Sequence, residues 1–190
     1  MKTRNLGKSG LQVSLIGLGC NNFGWYIDLE ASRKVIDKAI DSGITLFDTA
    51  DIYGGNGASE TIMGQIFGAR RKDIVLATKF GMPMDENHKG ASRRYIITAV
   101  EDSLRRLQTD WIDLYQLHQP DPLTPIEETL RALDDLIRQG KVRFIGCSNL
   151  PAWQVVESLW TSRQLGLNSF VCCQDQYSLL VREPERELIP

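Results

Sequence analysis

Along the chain, short runs of β-branched and apolar residues alternate with longer stretches in which apolar residues return every three or four positions. Two extended pieces, 3–6 and 11–14, flank Gly7-Lys8-Ser9-Gly10 and predict a small β-hairpin. Residues 15–19 predict a first main strand, ending in the turn Gly17-Leu18-Gly19-Cys20. From there strand and helix alternate. Val35, Ile36, Ala39 and Ile40 mark one face of a helix over 31–42, which Gly43 stops. Strand 44–49 precedes helix 59–67, with Ile62, Met63 and Ile66 on one side. Strand 74–79 leads to helix 92–107, where Ser92 suits the N-cap and Ile96, Val100, Leu104 and Leu107 point inward. Strand 112–118, helix 125–138 and strand 142–147 follow, with Pro125 fitting a first helical turn and Gly140 lying just past the end. Helix 151–163 again opens on a proline, strand 170–174 comes next, and 183–189 predicts the opening of another helix.

Such alternation implies parallel strands joined by right-handed crossovers. Near-continuous apolar strands imply a sheet covered on both faces. An open doubly wound sheet and a (β/α) barrel both answer that description. A nucleotide-binding open sheet carries its glycine fingerprint at the first strand–helix turn. Here the glycines of residues 17–24 match that spacing only loosely, and Asp28 follows where a helix should already run. Polar residues at the ends of successive strands favour the barrel, whose chemistry gathers there. The expectation is an α/β fold, a (β/α)8 TIM-type barrel with an N-terminal β-hairpin, forming one domain over residues 1–190. It is incomplete, because about six of eight βα units are written.

Composition narrows the function classes. Lysine and arginine total 22 against 24 aspartates and glutamates, so the net charge of -2 offers nothing to nucleic acid or an acidic membrane surface. No apolar run approaches the roughly 18 residues of a membrane span. The first ten residues lack the apolar core of a secretory signal, so a cytoplasmic location is expected. Cys20, Cys147, Cys172 and Cys173 form no CxxC pair and read as small, buried, reduced thiols. With only His88 and His118 present, no metal site is expected, and His88 lies in the polar loop 85–92 as a solvent-exposed residue.

The chemistry lies at the strand ends. The second main strand ends in Asp48-Thr49 and runs into Tyr53; the third ends in Lys79, the fourth in His118, the fifth in Ser148-Asn149 and the sixth in Gln174. A barrel gathers these positions around one mouth. A phenol is a poor acid at neutral pH, but an ammonium beside it stabilises phenolate. Lys79 is expected to lower Tyr53 in this way, with Asp48 holding Lys79 in place. His118 can donate to a carbonyl oxygen and orient it. The set suits protonation of an oxygen that is becoming an alkoxide while hydride reaches its carbon. Each residue also has a structural reading: a snorkelling Lys79, a capping Asp48, a loop Tyr53 in water, a satisfied His118, and Ser148 and Asn149 as a helix cap. Four of them on consecutive strand ends favour the catalytic reading.

Several motifs carry a resemblance to the aldo-keto reductase family. They are Phe47-Asp48-Thr49-Ala50-Asp51-Ile52-Tyr53-Gly54, Ala58-Ser59-Glu60, Ala77-Thr78-Lys79-Phe80-Gly81, Leu117-His118-Gln119-Pro120-Asp121 and Ile145-Gly146-Cys147-Ser148-Asn149. His118-Gln119-Pro120-Asp121-Pro122 and Tyr177-Ser178-Leu179-Leu180 resemble the bacterial branch akin to potassium-channel β-subunits. The resemblance implies metal-free reduction of aldehydes or ketones with NADPH. Tyr53 would be the general acid, Lys79 and Asp48 its tuning pair, and His118 the residue that orients a small carbonyl substrate. Ser148, Asn149 and Gln174 match positions that hold the nicotinamide carboxamide, and Gly19, Cys20 and Asn21 match the loop that approaches the cofactor. The hairpin would close the barrel floor. Apart from the resemblance, Trp25, Tyr26 and Phe80 have two readings, the lining of an apolar pocket or packing in the core or at the surface. The family continues through two more βα units, which hold much of its cofactor site, so this chain is expected to be a truncated barrel that self-associates through exposed edges. The alternative reading is an inactive barrel fragment serving as an interaction or regulatory module.

Overall fold

A computed structural model describes residues 1–190. The chain forms an incomplete (β/α)8 TIM-type barrel. An antiparallel hairpin, β1 (Thr3–Asn5) with β2 (Gln12–Ser14), precedes a parallel sheet. The sheet consists of β3 (Gly17–Gly19), β4 (Leu46–Asp48), β5 (Val75–Phe80), β6 (Ile112–Leu117), β7 (Val142–Ser148) and β8 (Cys173–Gln174), hydrogen-bonded in that order. Helices α1 (Leu29–Asp41), α2 (Ala58–Phe67), α3 (Arg93–Leu107), α4 (Ile126–Arg138) and α5 (Ala152–Leu165) make the connections. Each strand therefore pairs with its neighbour in sequence, as a curling barrel wall requires and a doubly wound sheet does not.

Local chemistry sets the helix starts. Asp28 accepts the Ala31 N–H at 2.9 Å to cap α1, and Ser92 accepts the Tyr95 N–H at 3.3 Å to cap α3. Pro125 and Pro151 precede α4 and α5, where a missing N–H costs nothing. Every residue of β5 is buried, between the barrel interior and the helices. The core joins Phe47, Leu76, Phe80 and Tyr115 from the strands to Ile36, Met63, Ile96, Leu107 and Leu130 from the helices.

The hairpin lies at the N-terminal ends of the strands, as expected of a floor. Ser14 and Thr45 exchange backbone-to-hydroxyl bonds of 3.0 Å in both directions just before β4. At the far side, the Gly7 turn approaches Val171 just before β8 so closely that a Cβ would stand 2.3 Å from the Val171 carbonyl oxygen. The floor thus spans the open sheet and leaves the C-terminal mouth free.

Three expectations change. The outer strands are shorter than the apolar runs suggest, because Leu15 and Ile16 are exposed before β3 and the β8 ladder holds only two residues. The predicted helix over 183–189 is a single 3-10 turn, Glu183–Glu185. Leu179 and Leu180 before it are 95% exposed, and a helix without a surface to bury its apolar face lacks most of its stabilisation. Of the two readings of Phe80, the core one holds in place of the pocket: it is fully buried with its ring centroid 4.7 Å from that of Tyr115.

Candidate active site

Register places the polar strand ends on one level. Gly19 pairs with Asp48, Lys79 with Gln116, and Ser148 with Gln174. The loop after β4 folds back over this rim. Asp51 N–H donates to the Lys79 carbonyl at 3.0 Å, and Ser59 N–H donates to the Tyr53 carbonyl at 3.1 Å. Gly54 permits the fold-back: at φ 76°, a Cβ there would meet the Phe23 carbonyl oxygen at 2.5 Å. Tyr53 is thereby held, half-buried, over the end of β5.

Lys79 is the hub. Its ammonium donates to Asp48 Oδ1 at 2.7 Å, Asp48 Oδ2 at 2.6 Å and the Thr49 carbonyl at 2.9 Å. All three N–H bonds are thus committed, so a lysine only 1% exposed has its ammonium fully paired. The same nitrogen lies 5.2 Å from the centroid of the Tyr53 ring. Tyr53 Oη is 3.4 Å from His118 Nε2, and the two rings meet edge to face at 5.6 Å.

The protonation states differ from the sequence expectation in one respect. Burial first, then the negative charges of Asp48 and Asp51, push the Tyr53 phenol up to about 12. Lys79, whose charge is matched by Asp48, is not among the groups that shift it. Tyr53 is therefore a fully protonated donor at neutral pH. His118 is pushed down to about 4, by burial first and then by the charge of Lys79. Its imidazole is neutral, with Nε2 toward Tyr53 and a buried Nδ1 that has no hydrogen-bond partner.

The remaining predicted residues lie around this centre. Gly19 and Asn21 are exposed at the end of β3, with open space where a Gly19 side chain would stand. Cys20 is fully buried, so only its backbone borders the mouth. Ser148 Oγ donates to the Gln174 carbonyl at 2.6 Å, and Asn149 Nδ2 donates to the His118 carbonyl at 3.0 Å. Gln174 donates to Asp48 Oδ2 at 3.1 Å and accepts from Gln116 at 2.9 Å.

Sequence reasoning gave no role at the site to three contributors, two of which, Ser59 and Glu60, it noted only as part of a motif. Gln116 is buried and ties Gln174 to the Asp48–Lys79 pair; its signal is an amide within an apolar strand. Ser59 bridges Thr49 Oγ1 and the Cys20 carbonyl, each at 2.8 Å, and so joins the β3 and β4 loops. Glu60 is fully buried, accepting from Thr78 at 2.5 Å and pairing with Arg106 at 2.7 Å. By contrast, His88 is partly exposed as expected, paired with Asp85 at 2.6 Å outside the mouth.

A parallel barrel wall with an Asp–Lys pair, a protonated tyrosine and a neutral histidine at its C-terminal mouth defines a barrel protein equipped for proton transfer. The chain belongs to the aldo/keto reductase family, whose model matches residues 15–190. It is similar, at 40% identity over 202 residues, to a protein of Bacillus subtilis (strain 168) named uncharacterized oxidoreductase YrpG. It is also similar, at 37% over 219 residues, to a protein of Saccharomyces cerevisiae (strain ATCC 204508 / S288c), AAD16, whose name provisionally gives an aryl-alcohol dehydrogenase. Both alignments cover this whole chain but only 62% and 64% of those relatives, so the chain spans less than two thirds of their length.

Proposed function

We propose that this chain carries the proton-donating centre of an oxidoreductase that reduces aldehydes or ketones to alcohols with NADPH. The observation that carries the reading is the Tyr53–His118 contact over the buried Lys79–Asp48 pair, at the barrel mouth of an aldo/keto reductase. The names of the two relatives support an oxidoreductase, and the yeast name makes aromatic aldehydes the first substrates to try. The exposed, stacked Trp25 and Tyr26 in the loop after β3 suit a flat ring. No helix is long and apolar enough to cross a membrane, and four free cysteines fit a reducing, cytoplasmic setting.

The residues at the mouth fit a nicotinamide. Its carboxamide has one acceptor and two donors; Ser148, Asn149 and Gln174 stand side by side, two of them exposed, and would exchange their internal hydrogen bonds for it. The open space at Gly19 lets the cofactor approach the backbone. When bound there, NADPH supplies the hydride. Tyr53 and neutral His118 hold the substrate oxygen through O–H and N–H donors, and Tyr53 transfers its proton as that oxygen gains charge. Burial makes the phenolate left behind costly, so the proton moves only as the substrate oxygen takes on negative charge, with the Lys79 ammonium 5.2 Å from the ring centroid. Asp48 and Thr49 keep the ammonium in place through the cycle.

The test is a fluorescence titration of NADPH into the purified chain, followed by benzaldehyde. The expected result is saturable binding and cofactor consumption that Tyr53→Phe reduces by about 10²–10⁴-fold without changing the fold. A folded chain that binds no NADPH, or consumption indifferent to Tyr53, overturns the reading.

A further inference from the structure

The ladder between β7 and β8 brings two thiols together. Cys147 and Cys173 are register partners on the same face of the sheet, with their sulfurs 3.5 Å apart. Cys147 is buried, whereas Cys173 is exposed on β8, an outer strand of the sheet. This exposure corrects the reading of all four cysteines as buried. Cys172 points the other way, its sulfur 3.8 Å from Gln116 Oε1. Adjacent residues of a strand face opposite sides, so Cys172 and Cys173 cannot bridge without leaving the ladder.

We propose that Cys147 and Cys173 form a reversible dithiol–disulfide pair, an oxidation site at the β7–β8 edge. Neighbouring strands lie about 4.8 Å apart, within the Cα spacing a disulfide accepts. Hydrogen peroxide is the oxidant. The Cys173 thiolate attacks one peroxide oxygen and the O–O bond breaks. Sulfur is oxidised to sulfenic acid, and the departing hydroxide takes up a proton to become water. Cys147 then attacks the Cys173 sulfur as its proton passes to the departing hydroxyl; the S–S bond forms, the S–O bond breaks, and the oxygen leaves as a second water. In balance, two thiols and one hydrogen peroxide give one disulfide and two waters. The asymmetry assigns the roles. Cys173 reaches solvent and receives a hydrogen bond from Cys147, which favours its thiolate, while the same contact and burial keep Cys147 protonated.

The pair stands one residue before Ser148 and Gln174, themselves joined at 2.6 Å. Bridging replaces a 3.5 Å contact with a bond of about 2 Å beside those two residues. Any change in cofactor affinity rests on the function proposed above. Formation of the disulfide does not, so the two fail separately.

The experiment exposes the folded chain to hydrogen peroxide, titrates thiols in denaturant and maps peptides by mass spectrometry. Two of the four thiols are expected to disappear, with Cys147 linked to Cys173 and all four restored by dithiothreitol. Cys172→Ser is expected to keep the link. Cys173→Ser, a change at an exposed side chain, is expected to abolish it and leave Cys147 a thiol. Recovery of Cys173 as sulfinic acid beside reduced Cys147, a Cys172–Cys173 link, or a disulfide between two chains would each overturn the proposal.

Discussion

Lys79 has no spare proton, and that shapes what each neighbour contributes. With Asp48 17% exposed and Lys79 1%, the pair is largely desolvated, and removing one member strands the other's charge. Lys79→Met is expected to destabilise the fold by about 3 kcal/mol in urea titration, and adding Asp48→Asn should recover part of that loss. Asp51 is a second buried charge. Burial first, then Glu60, push it up to about 7; it accepts from Tyr95 at 3.2 Å and leaves Oδ1 without a partner. An aspartate raised in the folded state stabilises below its ordinary value and loses that contribution as pH rises through the folded one. The melting temperature of Asp51→Asn relative to the parent is therefore expected to increase from about pH 4 to pH 7, whatever the constant offset. His118 works in the opposite sense. Lowered to about 4, it adds stability above about pH 6.5 that is lost as pH falls through 4, and His118→Asn should remove that acid-side slope.

At the scale of elements, close packing at α2 decides how the β4 loop is held. Gly64 sits mid-helix, where alanine is favoured by about 1 kcal/mol in isolation. Yet a Cβ there would stand 2.3 Å from the Arg106 carbonyl oxygen and 3.0 Å from Leu107 Cα, both backbone atoms of α3. Backbone cannot swing aside, so the overlap wins. Gly64→Ala is expected to lower stability by about 1–3 kcal/mol in thermal denaturation, with the Glu60–Arg106 pair disturbed alongside. The elements differ in how plainly they were written. Helices α1, α3 and α4 announce themselves through spacing and end signals. Helix α5 buries Ser158 and Ser162 while Trp153, Val156 and Trp160 stay exposed, so its apolar stripe is not its packed side here. Apolarity in sequence states what a residue would bury against, not whether a partner surface is present.

At the scale of the molecule, the six strands curl without joining β3 to β8, leaving two strand edges and the α5 face uncovered. Unpaired backbone groups and bare aromatics favour association. The isolated chain is expected to show a concentration-dependent sedimentation coefficient that Trp160→Glu reduces; a monomer at every concentration would contradict this.

The sequence by itself determined the strand–helix order, the hairpin, three polar residues at the ends of apolar strands and a tyrosine in the loop after one of them, because periodicity and a charge beside a buried run are local properties. Asp48, Tyr53, Lys79 and His118 were legible for that reason. The tertiary structure alone decided the protonation of Tyr53 and His118. Burial and the Asp48 charge raise Tyr53, where an isolated lysine beside it would have lowered it. It alone showed that Gln116, Ser59 and Glu60 brace the mouth, and that Cys147 and Cys173 touch, since each depends on strand register and on which atoms are shut away from water.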